Sequence, residues 1–102
     1  MMNQQQLLRQ ARKLQEQLAK IQEELGNETV IGTAGGGAVE VTLNGHGNFV
    51  KIKIDSSAAD PQDLETLEDL IGLAFKDAQA KVSALSQSRM GPLTGGLGIP
   101  GL

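Results

Sequence analysis

Four cations on one stretch are the residues best placed to do chemistry in this chain: Arg9, Arg12, Lys13 and Lys20. At about 100° per residue they fall within roughly a 100° arc of a helix, opposite an apolar stripe. Such a face can follow a phosphate backbone, each cation replacing a condensed counterion. An ordinary solvated helix surface would look similar, because Arg12–Glu16 and Glu16–Lys20 are spaced to pair one turn apart. The chain as a whole is acidic, at −3, which argues against indiscriminate nucleic-acid binding. Its charge is nonetheless segregated. Residues 1–22 hold the four cations against Glu16 alone, a net of +3, and the other 80 residues carry −6. A symmetric dimer would double the basic patch.

Nothing else in the sequence supplies reactive chemistry. His46 is the only histidine and falls in a hairpin turn, and there is no cysteine, so neither a metal cluster nor a nucleophile–base pair is expected. The Gly-rich segment Gly32–Gly37 lacks the Lys-Ser/Thr pair of a phosphate loop and leads into a strand rather than a helix. Its glycines, with Gly45 and Gly47, read as tight turns needing positive φ. The carboxylates lie mostly at helix starts or beside cations, which gives no paired acid–base site. No enzyme and no cofactor are expected. Phe49 and Phe75 are the only aromatic residues, too few for a base-stacking platform. The absence of cysteine fits a reducing compartment. The polar N-terminus carries no secretory signal, and the longest apolar run, Leu70–Phe75, is too short to span a bilayer. A cytoplasmic protein without membrane contact is expected.

The elements that must position the cations are legible. Leu7, Ala11, Leu14, Leu18, Ile21 and Leu25 are spaced 4-3-4-3-4, a heptad stripe that predicts a helix over residues 3–25, closed by Gly26-Asn27. At about 1.5 Å per residue this helix spans roughly 34 Å, whereas a seven-residue strand spans about 23 Å. It must overhang any sheet it packs on by roughly two turns, and the overhanging stripe needs a partner. Residues 38–55 alternate strictly around a Gly-rich turn: Val39, Val41 and Leu43 point one way on the first strand, Val50, Ile52 and Ile54 share a face on the return, and in register the two sets make one apolar face. This predicts an antiparallel hairpin with Leu43 opposite Val50, Val41 opposite Ile52, Val39 opposite Ile54, and Glu40 beside Lys53. The β-rich run 28–34 adds a first strand, giving a three-stranded meander. Asp60 suits a helix N-cap and Pro61 its first position. The helix that follows carries Leu64, Leu67, Ile71, Ala74, Ala78, Val82 and Leu85, with Gly72 marking a close backbone approach. It is expected to end at Met90. The Gly- and Pro-rich residues 91–102 read as a flexible tail, leaving residues 1–90 as the single domain.

Taken together, these features resemble the YbaB/EbfC family of small bacterial nucleoid-associated proteins. The resemblance rests on Gly35–Gly45 followed by Ile52-Lys53-Ile54-Asp55. It continues in Leu67–Ile71 with Ala74–Ala78, and in Met90-Gly91 leading into Leu93–Leu97. It implies an α+β homodimer: a long N-terminal helix, a three-stranded antiparallel sheet and a long C-terminal helix, the protruding helices making a tweezer-like shape. It also implies binding to duplex DNA in the nucleoid, a role in nucleoid organisation and gene regulation, and no catalytic site. The positions matching the family's basic helices are Arg9, Arg12, Lys13 and Lys20, with Lys76, Lys81 and Arg89 on the last helix. The competing reading is a dimeric protein-interaction module that docks partners on its helical arms or its tail.

Overall fold

A computed structural model describes residues 3–96. The order of elements is helix α1 (Gln4–Asn27), strand β1 (Thr29–Ala34), a 3-10 turn at Gly35–Gly37, strands β2 (Val39–Asn44) and β3 (Phe49–Ile54), a second 3-10 turn at Ser56–Ala58, and helix α2 (Leu64–Gly96). The strands form one antiparallel sheet in the order β1-β2-β3, the expected meander. Two helices and this sheet make an elongated α+β molecule of 70 × 24 × 16 Å.

The core is the α2 face of the sheet. Val39, Val41 and Leu43 are fully buried against Ala74 and Ala78, and each of the three large side chains contributes about 2 kcal/mol by leaving water. The alternation in β2 thus does what period two requires. Helix α2 lies mainly over β1 and β2, however, and leaves the side chains of β3 exposed. The small surface of α2 meets Gly32 of β1: a Cβ there would sit 2.7 Å from the Ala78 Cα. The close approach expected at Gly72 is therefore displaced to Gly32, and a Cβ at Gly72 would meet nothing within 4 Å. Of the turn glycines, Gly35, Gly36, Gly37 and Gly47 have positive φ, but Gly45 does not. A Cβ at Gly45 would instead lie 2.8 Å from the carbonyl carbon of Leu25.

The register agrees with expectation from Val39↔Ile54 through Glu40↔Lys53 to Val41↔Ile52. It then breaks. A bulge after Thr42 sets Leu43 opposite Phe49, not Val50. Asn44 shapes the turn responsible, its side chain accepting the backbone N–H groups of His46 and Asn48 at 2.9 and 3.0 Å. The shift lets Phe49 stack on Phe75 of α2, with centroids 6.4 Å apart.

Helix ends also moved. Asn3 caps α1 in a reciprocal box with Gln6, and α1 continues through Gly26 and Asn27 before Glu28 ends it. Helix α2 starts at Leu64 because Asp63, not Asp60, does the capping. Its carboxylate accepts the Thr66 hydroxyl at 2.6 Å and the Thr66 N–H at 3.3 Å, and these bonds hold it below the usual carboxylate range. Asp60 spends its side chain on the Gln62 N–H of the preceding turn. At the other end α2 passes Met90 and continues to Gly96 with Pro92 inside it. Tertiary contact outweighs propensity there: Arg89 is ion-paired to α1, and Leu93 is half-buried. The remainder of the expected tail, residues 97–102, lies outside the described residues.

Candidate nucleic-acid interface

Helix α1 is fully buried only at its root. Leu25 is buried, and its carbonyl accepts the Gly45 N–H at 2.8 Å, pinning the helix end to the hairpin turn. Leu14, Leu18 and Ile21 are half-buried. Leu7 and Leu8, near the free end, are 51% and 57% exposed. The overhang anticipated from length is present, and α1 projects as an arm.

Arg9, Arg12, Lys13 and Lys20 are all exposed along that arm. Among the described residues none of them forms an ion pair, so the Arg12–Glu16 and Glu16–Lys20 pairs of the solvated-surface reading do not form. From Arg9 to Lys20 the row covers about 16 Å, the axial rise of about five base pairs. The charge is also graded along the arm. Arg9, Arg12 and Lys13 occupy the outer half, and Glu23 and Glu24 lie near the root. The helix N-terminus at the free end contributes further positive potential. The outer half of α1 is therefore a surface that attracts anions.

The three cations predicted on α2 are placed differently. Lys81 reaches the edge of β1, its Nζ donating to the Ile31 carbonyl at 2.6 Å and lying 3.3 Å from Asp77. Asp77 in turn accepts the Thr33 N–H at 2.9 Å. That backbone bond, followed by Lys81, holds the Asp77 carboxyl below its usual range. Together the two side chains occupy backbone groups on the free edge of β1 and blunt it against pairing. Arg89 bridges to Glu24 and Glu28 of the α1 root. Lys76 is exposed but shares a shallow hollow with Glu68 and Asp69, which screen it. The seven predicted cations thus divide: four line one projecting arm, two are spent on internal contacts, and one stands among acids.

The sequence reading missed the edge cap formed by Asp77 and Lys81. Their i,i+4 spacing was visible, but the strand they serve is 44 to 50 residues away in the chain. It also missed the partner of Arg89. Two acids four residues apart at a helix C-terminus that lacks any basic residue were the available signal.

Among the described residues no three His, Cys, Asp or Glu side chains converge to hold a metal ion. No described helix is long and apolar enough to cross a membrane.

Similarity to known proteins agrees with this architecture. A nucleoid-associated protein from Roseiflexus castenholzii is 49% identical over 100 residues, covering 98% of this chain and 99% of the relative. One from Mycobacterium sp. strain KMS is 50% identical over 99 residues, covering 94% and 90%. In fold, the chain matches the crystal structure of an uncharacterized protein from Helicobacter pylori. The TM-score is 0.74 at 24% identity, covering 95% of this chain and 99% of the other. The model of the YbaB/EbfC DNA-binding family spans residues 1–97, and with relatives this similar along nearly its full length, the chain belongs to that family.

Proposed function

We propose that this chain is a cytoplasmic nucleoid-associated protein. In this reading it binds duplex DNA as a homodimer through the basic faces of its two α1 arms, and by occupying DNA it organises the nucleoid and affects transcription of the genes it covers. The observation that carries the reading is the row of four exposed cations, none of them ion-paired among the described residues, on an arm that projects clear of the sheet. Phosphate contacts of this kind position a protein without reading sequence, so any site preference would come from DNA shape and a few base contacts. The names of the relatives, nucleoid-associated proteins, support the same reading.

The test is fluorescence anisotropy of a labelled duplex titrated with protein at several salt concentrations. Counterion release gives a slope of about −0.9 in log K against log salt for each phosphate neutralised. With four cations on each of two arms the expected slope approaches roughly −7. Absence of binding at low salt would remove DNA as the partner and leave the protein-interaction reading, for which the exposed Leu7 and Leu8 would be the docking residues.

Support for the homodimer comes from asymmetry in the sheet. The β1 edge is occupied by Asp77 and Lys81, while β3 offers Phe49, Val50, Ile52 and Ile54 at 55%, 49%, 37% and 38% exposure beside an open edge. A second copy packed on this face would bury the half of the hairpin that α2 leaves uncovered. Ile52→Asp should then raise the dimer dissociation constant about a hundredfold or more, because an unpaired buried carboxylate costs about 3 kcal/mol or more. Light scattering coupled to size exclusion measures this, with circular dichroism to confirm the fold. A variant that stays dimeric would move the interface elsewhere.

A further inference from the structure

The root of α1 carries charge in the order that a helix disfavours. Glu23 and Glu24 lie in its C-terminal turns, Glu28 follows immediately, and no basic residue occupies its last turn. The negative end of the helix dipole repels this cluster, and a cation is needed there. It comes from α2. The Arg89 guanidinium divides its fork, with Nη1 3.2 Å from Glu24 Oε2 and Nη2 bonded to Glu28 Oε1, across 65 and 61 residues of chain. Glu28 Oε2 is buried with no hydrogen-bond partner among the described residues, so the guanidinium is the main compensation for a partly desolvated carboxylate.

We infer that Arg89 is a positioning residue that fixes the angle at which the α1 arm leaves the body. Three further attachments of the root lie close together: buried Leu25, the Gly45 N–H on its carbonyl, and the His46 ring against Gly26. They form a pivot. Arg89, reaching from the far part of α2 to two successive turns of the root, is the strut that stops the arm from swinging about that pivot. The functional consequence rests on the reading of α1 as a DNA-binding arm. An arm held at one angle presents Arg9, Arg12, Lys13 and Lys20 already arranged, whereas a swinging arm spends part of its time where they cannot engage together. Arg89 therefore acts on DNA through geometry and does not itself contact phosphate.

The chain has no native cysteine, so Gln10→Cys and Gln62→Cys introduce a spin-label pair between arm and body. Pulsed EPR on labelled chains diluted with unlabelled ones reads the distance distribution within one chain. The variant that tests the clamp is Glu24→Gln with Glu28→Gln, which unlocks Arg89 while leaving no unpaired acid to unfold the root. Arg89→Ala is the second variant. Both should broaden the distribution to about twice its width or more.

DNA affinity of the double Gln variant should fall about tenfold, although it has lost two negative charges per chain, because apparent affinity scales with the fraction of molecules in the competent geometry. Its salt slope should not change. An unchanged distribution overturns the inference. So does tighter DNA binding with a steeper slope, since that would make the freed Arg89 a phosphate contact. If the unaltered protein fails to bind DNA at any salt, the DNA reading fails on its own, and the width of the distribution still decides the clamp.

Discussion

Gly32→Ala should shift the urea midpoint down by about 2 M, a large effect for a single added methyl. The reason is what the methyl would meet. At Gly32 the added Cβ points into the backbone of α2, against the Ala74 carbonyl and the Ala78 N–H, with the Ala78 Cα only 2.7 Å away. Carbon atoms pack at about 3.5–4.0 Å, so α2 must retreat by about 1 Å. Backbone cannot rotate aside as a side chain can. A helix also moves as a unit, so the retreat opens gaps over Val39, Val41 and Leu43. Overpacking and lost contact together should cost about 3 kcal/mol or more, a large share of the 5–15 kcal/mol that holds a domain of this size together. With a slope of about 1–2 kcal/mol per molar urea, a midpoint shift of that size follows. Gly72→Ala is the matched control. It adds the same methyl in open space within a helix and should stabilise by up to about 1 kcal/mol. Both should be measured at one protein concentration, because self-association shifts apparent stability. Equal midpoints for the two variants would mean that α2 does not lie this close to β1.

Where sequence reasoning succeeded, it used local periodicity, and its errors fall where distant residues decide. The heptad of α1 and the alternation of β2 and β3 are properties of neighbours, so both elements and the pairing from Val39↔Ile54 to Val41↔Ile52 could be read directly. The bulge at Leu43 depends on how Asn44 spends its side chain in the turn, and composition does not show that. A close approach was expected from glycine and alanine on one helix, at Gly72. The structure instead divides it between two elements, Gly32 from β1 and Ala74 with Ala78 from α2, and only the contact says which glycine is needed. The cations follow the same pattern. Those on α1 line its exposed face and, among the described residues, have no acid within ion-pairing reach. Lys81 and Arg89 are engaged by partners 50 and 61–65 residues away, and the one local sign was Asp77, a turn before Lys81.

That distinction is put to its severest test by reversing the free cations alone. The triple variant Arg9→Glu, Arg12→Glu and Lys13→Glu should abolish DNA binding, with affinity falling at least about a thousandfold at low salt, and leave the fold and the proposed dimer intact. Each reversal changes the charge by two, taking the chain from −3 to −9, and only Lys20 remains to meet phosphate on each arm. The salt slope should collapse from roughly −7 toward −2 or less, because it counts phosphates neutralised. Stability should hold for three reasons. All three residues are exposed and form no ion pair among the described residues. Substitutions at such positions cost no more than about 0.5 kcal/mol. Acids toward the N-terminal end of a helix are on the side its dipole favours, and the Asn3–Gln6 cap is untouched. Lys76→Glu supplies the comparison, since that lysine is already screened by Glu68 and Asp69 and should change the slope by less than one unit. Unfolding melts and light scattering verify that the triple variant is a folded dimer before the titration is read. If it is, and it still binds duplex DNA with the original slope, the phosphates are neutralised somewhere other than the α1 arm. The row of cations would then be a solvated surface after all.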